Sequence, residues 1–320
     1  MRYKRHELLQ NISNKGQEIL SKSRVAIVGM GALGSNVSEL LARSGVNLIL
    51  IDDDKVSLDN LQRQKLYDEK GIGKYKVKIA KKKLKQINSS IKIDVINKKL
   101  DFSNCSYIKE VDLILDCTDN MNARFLINDF CVKNKKKWIY GSVIRSVGYV
   151  ARFIPDNACF RCIFDKNVID NSCDEGVLNM AVNIVASIQA IETIKILLNE
   201  YKVPELIFID AWDYRINKIK ILRNKKCACC VKKQFDFLDN NFFIVSSCTS
   251  SGDYKIKPKL NKNINFDVIN KKLKVIKKTE NFIIVRKIRE VTIYKNGELL
   301  VKGAKNRDEA NKIAEMIYKL

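Results

Sequence analysis

Four residues near the N-terminus have the types and spacing needed to bind a nucleotide. Gly29, Gly31 and Gly34 of "GMGALG" follow the β-branched run "RVAIV" and precede the helical apolar spacing of "ALGSNVSELLARSG". Glycines at a strand-to-helix junction let backbone N–H groups approach a phosphate. Asp52 ends the next apolar run, "VNLILID", at about the 20-residue distance where an acidic side chain accepts from ribose hydroxyls. A tight turn between packed elements would use the same glycines and is the alternative.

A second set of polar side chains follows the predicted strands and suits a triphosphate. It consists of Asn60, Arg63, Gln64, Lys76, Asp119, Asn120 and Arg124. These residues follow strand ends or begin the next helices, so we expect them around one crevice. Cations neutralise charge that grows on phosphates, and a carboxylate can hold Mg²⁺. Each residue alone could be an ordinary surface group, so the prediction depends on their combination.

Two Cys-x-x-Cys pairs can supply four thiolates to a tetrahedral zinc ion. "CFRC" provides Cys159 and Cys162, and "CACC" provides Cys227 and Cys230, with Cys229 as a competing ligand. The pairs lie far apart in the chain, so two unrelated buried or redox pairs are the alternative. The chain has 10 cysteines and no recognisable secretion signal, which argues against a disulfide framework.

Composition narrows the class of protein. The single histidine, His6, leaves almost nothing for a Ser-His-Asp or Cys-His mechanism. The net charge of +23 comes from lysine-rich runs scattered over the 320 residues, which are typical of solvated faces. We therefore consider nucleic-acid binding unlikely, although such a surface favours an acidic protein partner. No uninterrupted apolar run approaches about 20 residues, so we expect a cytoplasmic protein without a membrane span.

The apolar spacing predicts the elements that position these groups. "RVAIVG", "VNLILID", "IKIDVINKKL" and "VDLILDCTDN" read as strands, and "KWIYGSVI" and "GYVARFI" continue the sheet. "KYKVKIAKKKLKQIN" is an amphipathic helix, and "NMAVNIVASIQAIETIKILLN" is apolar on most faces, as in a central helix. Alternating strands and helices predict an α/β fold with a doubly wound, Rossmann-like, mostly parallel sheet.

The C-terminal part of the chain predicts a second, smaller domain. "VTIYKNGELLVKG" reads as a β-hairpin around Asn296-Gly297. "RDEANKIAEMIYKL" then places Ala310, Ile313, Ala314 and Ile317 on one helical face. We expect a nucleotide-binding domain that includes the four cysteines in residues 1–230, a linker within 231–260 and a small α+β domain in 261–320.

The sequence resembles the ThiF/MoeB/HesA family, whose members adenylate the C-terminus of ubiquitin-like proteins. The resemblance rests on the stretches "RYKRHELL", "VAIVGMGALGSNVSELLARSGV", "IDDDKVSLDNLQRQ", "IGKYKVKIA", "DCTDNMNAR", "GSVIRSVGYV", "CFRC" and "SIQAIETIK". Together these stretches span residues 2–230, and "NLQRQ" and "DCTDN" are highly specific. The tail is similar to a C-terminal extension of some members, with Glu298 where the turn usually has arginine.

The resemblance assigns roles to the nucleotide-site residues. It implies that ATP is bound by Gly29, Gly31, Ala32, Gly34, Asp52, Asp54, Asp59, Asn60, Leu61, Gln62, Arg63, Gln64, Lys76, Asp119, Asn120 and Arg124. Among these, Arg63, Lys76 and Asp119 would be catalytic, and Asp119 would also bind Mg²⁺. Arg5 would reach the ATP of the other subunit, which implies an obligate homodimer.

The resemblance also assigns roles to cysteines. It implies a structural zinc ion, without an open coordination position, at Cys159, Cys162, Cys227 and Cys230. Cys173 aligns with a thiol that some members use to accept the acyl group, although Asp174 and Glu175 beside it would raise its pKa. A plain exposed thiol is the alternative for Cys173.

The function implied is adenylation of a ubiquitin-like sulfur carrier that ends in Gly-Gly. An α-carboxylate has a pKa of about 3.5 and is ionised at neutral pH, so it attacks the α-phosphate of ATP without a general base. The chain has no rhodanese-like segment, so a separate protein must donate sulfur. The pathway stays open among thiamine, molybdopterin, tRNA thiolation and protein conjugation.

Three other functions stay open. The glycine fingerprint alone fits an NAD-dependent oxidoreductase, although no histidine or lysine–tyrosine pair is placed for hydride chemistry. The positive charge fits a nucleic-acid or scaffold protein that retains the fold. A family relative that acts on a tRNA-linked carboxylate is the third possibility.

Overall fold

The computed structural model describes residues 2–164, 175–201, 204–238, 243–248, 253–258, 264–286 and 288–318. The chain divides into two units, Met1–Asp239 and Asn240–Leu320. Two strands of the second unit, at residues 243–248 and 253–258, lie within the segment expected as a linker. The lysine-rich, weakly apolar sequence there had suggested a linker, but backbone pairing with the neighbouring strands makes it part of a sheet.

The first unit is built on one sheet of eight strands. They are β1 Arg24–Val28, β2 Asn47–Ile51, β3 Ile93–Ile96, β4 Leu113–Asp116, β5 Trp138–Ile144, β6 Val147–Phe153, β7 Glu205–Asp210 and β8 Arg215–Lys220. Their order is β3-β2-β1-β4-β5-β6-β7-β8. The first five strands in this order, from β3 through β2, β1 and β4 to β5, pair in parallel. Strands β6, β7 and β8 then join the sheet in antiparallel pairs. The predicted large, mostly parallel sheet is therefore confirmed.

The strand order places the predicted site at the carboxyl ends of the central strands of this sheet. Strand β1 lies between β2 and β4, and Val28 pairs with Ile51 and with Asp116. The three strands are almost fully buried, which explains their uninterrupted apolar sequences. The chain leaves β1 toward β2 on one side and later enters β4 on the other. This reversal opens a crevice at the carboxyl ends of the strands, where ligands bind in such folds.

Six helices accompany the large sheet in the described residues. They are α1 Lys4–Glu7, α2 Ser13–Lys22, α3 Ala32–Arg43, α4 Lys76–Ile87, α5 Met121–Lys133 and α6 Asn179–Leu197. Short 3-10 helices occur at Leu58–Asn60, Glu69–Gly71, Cys105–Ile108 and Phe160–Cys162. The predicted amphipathic helix is α4, which buries Val77, Ala80 and Leu84, and its lysines after Lys76 are exposed or partly exposed.

Helix α6 is the predicted central helix. By length and composition alone it could cross a bilayer. The sequence analysis expected no membrane span, because polar residues interrupt its apolar runs. Its burial gives another reason for this composition, because Ala181, Val182 and Val185 are fully buried within the unit. Gln189 is also buried and donates from Nε2 to the Asp116 carbonyl, at 3.1 Å. Helix α6 therefore serves as a core helix of the first unit.

The second unit contains an antiparallel sheet and two helices. Its strands are β9 Phe243–Cys248, β10 Asp253–Pro258, β11 Val275–Lys278, β12 Phe282–Arg286, β13 Glu290–Tyr294 and β14 Leu299–Val301, in the order β11-β12-β13-β14-β10-β9. Helices α7 Phe266–Lys272 and α8 Arg307–Tyr318 complete it. The predicted hairpin is β13–β14, with Gly297 at φ +87° in the turn. The four apolar residues predicted on one face of α8 are all buried in the core of this unit.

Candidate functional site

The three glycines of the loop after β1 have different reasons to be glycine. A Cβ on Gly29 would lie 2.6 Å from the Cys117 carbonyl oxygen, and one on Gly34 would lie 1.9 Å from the Gly29 carbonyl oxygen. Packing alone therefore requires these two, as the tight-turn alternative proposed. A Cβ on Gly31 would meet only Gln64 Nε2, at 3.8 Å. Gly31 precedes helix α3, so its missing side chain leaves room for a ligand at that N-terminus.

Asp52 ties the glycine loop to the end of β2. Its Oδ2 accepts from the Met30 N–H at 2.6 Å, and its Oδ1 accepts from the Asp54 N–H at 2.7 Å. Burial raises the pKa of the Asp52 carboxyl, and these two backbone bonds oppose the rise. Tyr67 holds the other side of the loop, since its hydroxyl donates to the Met30 carbonyl at 2.7 Å. The carboxylate keeps further lone pairs that can accept from ribose hydroxyls.

The segment from Asp59 to Gln64 starts as a 3-10 helix beside helix α3. A capping box between Ser57 and Asn60 fixes its first turn. Arg63 donates to the Asp59 carbonyl at 2.8 Å, and its side chain is 27% exposed. Asn36 of α3 donates to the Arg63 carbonyl at 3.2 Å. The backbone under Arg63 is thus fixed from two sides while its guanidinium stays accessible.

Two glutamines and a leucine complete this segment. Gln64 is buried beside Gly31, and its Oε1 has no hydrogen-bond partner among the described residues. Gln62 bonds to the start of α6, because its carbonyl accepts from Asn179 Nδ2 at 3.3 Å. Leu61 packs against the main core. Of these three residues, Gln64 has the unused polar atom that a ligand could satisfy.

Lys76 is a buried cation at the first position of helix α4. Its side chain is 6% exposed, and its Nζ lies 2.9 Å from Asp54 Oδ2. Its N–H also donates to the Asp54 carbonyl at 2.9 Å. A cation at a helix N-terminus is electrostatically unfavourable, and Asp54 offsets this. Asp54 is itself mostly exposed, so an incoming phosphate can share the lysine with it.

The segment after β4 holds the remaining predicted groups. Asp119 is exposed, whereas Asn120 caps helix α5 by accepting from the Ala123 N–H at 2.9 Å. Asn120 also donates from Nδ2 to Asp119 Oδ1 at 3.3 Å. Arg124 is buried and donates from Nη2 to the Thr118 carbonyl at 3.0 Å. Asp119 is therefore the accessible group of this segment, and Arg124 points into the protein.

Arg5 lies away from the other predicted residues. It is exposed on the short helix α1. The neighbouring Tyr3 contacts the far ends of α3 and α4, where Asn88 Nδ2 donates to its hydroxyl at 2.7 Å and Gly45 packs against its ring. Helix α3 has 12 residues, or about 18 Å of length, and the glycine loop lies at its opposite end. The chain does not bring Arg5 to its own nucleotide site.

The four predicted cysteines form one cluster. The Sγ atoms of Cys159, Cys162, Cys227 and Cys230 all lie within 4.8 Å of one another. Cys159 and Cys227 are 3.7 Å apart, and Cys162 and Cys230 are 3.5 Å apart. Four thiolates at about 2.3 Å from a zinc ion are about 3.8 Å from each other. The cluster therefore fits a tetrahedral metal ion, and the alternative of two unrelated pairs is excluded.

Cys229 has a different neighbourhood from the four clustered thiols. It is fully buried, and Asn128 Nδ2 lies 3.3 Å from its Sγ. Hydrogen bonds from neighbouring thiols lower the pKa of Cys159 to about 7, which favours a thiolate inside the cluster. The pKa of Cys229 is raised, because it bonds to Cys159 and is desolvated. The four sulfur atoms that lie within 4.8 Å of one another belong to the other cysteines, so Cys229 is a neighbour of the cluster rather than one of the four.

An arginine between the first two cysteines anchors the cluster, and no motif in the sequence singles it out. Arg161 Nη1 donates to Asp129 of α5 at 3.1 Å and to the Gln234 carbonyl at 3.0 Å. Its Nη2 donates to Asp236 at 3.0 Å. The Phe237 N–H also donates to Asp129, at 3.2 Å. Arg161 thus joins the cysteine loop, helix α5 and the end of the first unit.

Cys173 lies outside the described residues. The chain is described again from Glu175, which pairs with Arg145 of the β5–β6 turn at 2.6 Å. The Arg145 N–H donates to the Gly176 carbonyl at 2.8 Å, and Asn179 then reaches Gln62. Residues 175–179 therefore run beside the segment that carries Arg63.

Comparison with known proteins agrees with this arrangement. The sequence profile of the ThiF family matches residues 3–231. The chain is 38% identical over 240 residues to the molybdopterin-synthase adenylyltransferase of Escherichia coli, covering 72% of this chain and 96% of that protein. It is 33% identical over 246 residues to the sulfur carrier protein ThiS adenylyltransferase of Bacillus subtilis, covering 74% of this chain and 73% of that protein.

A solved structure gives the same result at the level of the fold. The crystal structure of E. coli MccB with ATP superposes with a TM-score of 0.62 at 25% sequence identity. The superposition covers 67% of this chain and 68% of that chain. The shared fold therefore covers a part of this chain that is long enough to contain the predicted nucleotide site.

Proposed function

Because this chain belongs to the ThiF family, we propose that it uses ATP to adenylate the C-terminal carboxylate of a ubiquitin-like sulfur carrier. One observation carries the proposal more than any other. Lys76 is buried, and its ion-pair partner among the described residues is the exposed Asp54. Both lie beyond the carboxyl ends of the strands, as does the open Gly31. This pairing favours ATP over NAD, because a desolvated cation beside a helix N-terminus suits the charge of a triphosphate.

The reaction needs little proton chemistry. The ionised carboxylate of the carrier attacks the α-phosphorus, a C(O)O–P bond forms, and the P–O bond to pyrophosphate breaks. Lys76 and Arg63 would neutralise charge on the triphosphate, and Asp52 would hold the ribose. Asp119 would bind Mg²⁺, which neutralises further phosphate charge when it is present. None of these steps requires a histidine, which agrees with the sequence.

The carrier would end in Gly-Gly, as the family resemblance implies. The names of the two curated relatives support a sulfur carrier as its class. A separate protein would donate the sulfur, and the pathway stays open. Cys173 remains a candidate acceptor of the acyl group from AMP. We propose a cytoplasmic location, as expected from the sequence.

We propose that the enzyme works as a homodimer in which Arg5 reaches the partner's ATP. Arg5 lies on the far side of α3 from its own glycine loop, so it can serve a nucleotide only in another copy. Helix α6 also exposes Met180, Ile184 and Ile191 on one stripe, at 59%, 36% and 50% exposure. Apolar stripes of this kind mark protein interfaces. If Arg5→Ala abolished exchange, mixing it with an inactive Lys76→Met variant would restore part of the activity.

We propose that the cysteine cluster binds zinc in a structural role. Four thiolates fill a tetrahedral shell, so no position is left for a substrate. Zinc would fasten the loop at Cys159 to the end of the first unit. Metal analysis of the purified protein should give one zinc per chain, and Cys162→Ser should lose it. Cys229→Ser is the matched control, and its zinc content should stay at that of the wild type.

Carrier-dependent exchange of labelled pyrophosphate into ATP tests the proposed reaction. Arg63→Ala should lower exchange by about 10²- to 10³-fold, because a group that stabilises transition-state charge is lost. Arg24→Ala is the matched control, since Arg24 lies at the amino end of β1, away from the crevice, and pairs with Asp94. Exchange that does not respond to Arg63→Ala, or thermal stabilisation by NAD and not by ATP, would refute the assignment. Mass spectrometry of small proteins captured from native cells would identify the carrier.

A further inference from the structure

Two buried charged atoms behind Asp119 lack hydrogen-bond partners among the described residues. They are Asp116 Oδ2 and Arg124 Nε, and they lie 3.6 Å apart. The Asp116 side chain is fully buried and that of Arg124 is 10% exposed. At this separation the charges attract each other, but the distance is too long for a directed hydrogen bond. The pair is therefore held in place by its other contacts.

Asp116 and Arg124 both form hydrogen bonds with Thr118. Asp116 Oδ1 accepts from the Thr118 N–H at 3.0 Å and from its hydroxyl at 2.6 Å. Arg124 Nη2 donates to the Thr118 carbonyl at 3.0 Å. The next residue along the chain is Asp119, and Asn120 then caps helix α5. The pair thus fixes the residue immediately before the exposed carboxylate.

Arg124 is itself fixed from the side of the core. Its guanidinium carbon lies 5.2 Å from the centre of the Tyr140 ring, within the range of a cation–π contact. The Tyr140 hydroxyl bonds to Ser142 Oγ at 2.6 Å. By comparison, Arg63 is 27% exposed. Arg124 has the surroundings of a scaffold residue, whereas Arg63 has those of a residue that meets a ligand.

We infer that Arg124 is a positioning residue, which together with Asp116 clamps Thr118 and so sets where Asp119 presents its carboxylate to Mg²⁺. This inference rests on the proposed function and replaces direct contact between Arg124 and ATP, which the resemblance implies. Residues behind a metal ligand change metal affinity without touching the metal. Loss of the clamp should therefore weaken the use of Mg²⁺ rather than the binding of the nucleotide.

The test measures ATP binding by calorimetry at a series of Mg²⁺ concentrations, without any carrier. For Arg124→Met, the Mg²⁺ concentration at half-maximal ATP affinity should rise by about tenfold, as for lost partners of metal ligands. At saturating Mg²⁺ the ATP affinity should return to that of the wild type, and AMP binding should not change. An ATP affinity that falls equally at all Mg²⁺ concentrations would show direct contact and overturn the inference. An unchanged Mg²⁺ dependence would also overturn it.

Two further variants separate positioning from folding. Arg124→Met leaves a buried carboxylate unpaired, so Arg124→Met with Asp116→Asn removes both charges and should fold while keeping the altered Mg²⁺ dependence. Arg152 is the matched control, because it is also buried and its carboxylate partners are Glu192 of α6 and Glu205 of β7 rather than Asp116. Arg152→Met with Glu192→Gln should lower stability and leave the Mg²⁺ dependence unchanged. If the wild type bound no ATP, the proposed function would fail rather than this inference.

Discussion

The nucleotide crevice and the cysteine cluster treat their buried polar atoms in opposite ways. In the crevice region, Gln64, Asp116 and Arg124 each have a buried side-chain atom without a hydrogen-bond partner among the described residues. Beside the cluster, Arg161 uses both Nη atoms on carboxylates and also bonds to a backbone carbonyl. A buried polar atom without a partner costs about 1–3 kcal/mol. The crevice therefore tolerates a cost that the cluster region avoids.

This difference separates a binding region from a structural one. Gln64 Oε1 lies beside the open Gly31, where a ligand can satisfy it. Asp116 Oδ2 and Arg124 Nε instead lie 3.6 Å from each other and support the segment that carries Asp119. Complete bonding around Arg161 leaves nothing for a ligand and fixes the ends of three segments. Substitutions beside the cluster should therefore reduce stability, and substitutions in the crevice should mainly reduce activity.

The largest expected effect is the loss of stability in Arg161→Met. This change leaves Asp129 buried without its arginine, and breaking a buried pair on one side costs about 3–5 kcal/mol. Chemical denaturation measures the free energy of unfolding. Arg215→Met is the control, because Arg215 is exposed and pairs with Asp213 at the surface. A loss as small as that of the control would show that Arg161 does not anchor the cluster.

Lys76→Met should have its main effect on activity. Removal of a cation that stabilises transition-state charge should lower pyrophosphate exchange by about 10²- to 10³-fold. Stability should change little, because Asp54 is exposed and can be solvated. Lys83→Met is the matched control on the same helix, where Lys83 pairs with Asp68 at 2.6 Å. Equal exchange in the two variants would contradict a role for Lys76 in the crevice.

The buried Asp116 should make stability depend on pH. Burial raises its pKa from 3.8 to about 6, so the folded state binds more protons than the unfolded state between those values. Stability should therefore decrease as pH rises from about 4 to 6 and then level off. Denaturation of Asp116→Asn should lack this component, and its stability relative to the wild type should rise over the same interval. A constant difference between the two proteins would disprove the raised pKa.

Asn120→Ala should show the smallest effect on stability. It removes the cap of helix α5, which costs about 1 kcal/mol. Asn120→Asp keeps a side-chain oxygen for the Ala123 N–H and should restore stability. ATP affinity distinguishes a second role, because contact between the Asn120 amide and the nucleotide would leave Asn120→Asp impaired. Full recovery of both quantities would limit Asn120 to capping.

Local patterns were sufficient to predict much of this protein. Residues 24–52 have the apolar runs and glycines of a β-α-β unit, and Asn296-Gly297 has the residue types of a tight hairpin. These features depend on neighbours within a few positions, so their physics can be read directly from the chain. The spacing of the four distant cysteines left two unrelated pairs as an alternative, and the family resemblance implied the single cluster that the structure shows.

Other features required the folded chain. Strands β6, β7 and β8 pair antiparallel, which their apolar spacing does not distinguish from parallel pairing. Residues 243–248 and 253–258 lie in a segment that looks like a linker by composition, but they form two paired strands. Arg124 follows the Asp119 motif by one helical turn, yet it points inward, because Asp116 and Tyr140 lie beneath it.

The sequence by itself determined most of the elements, the nucleotide loop and the candidate cysteines of the cluster, since each rests on residue types at short or chemically distinctive spacing. Only the tertiary structure decided which cations are accessible, since exposure depends on every element packed around a side chain. It also showed that Arg161 joins three segments that lie far apart in the chain, and that Arg5 lies too far from its own nucleotide loop to reach it.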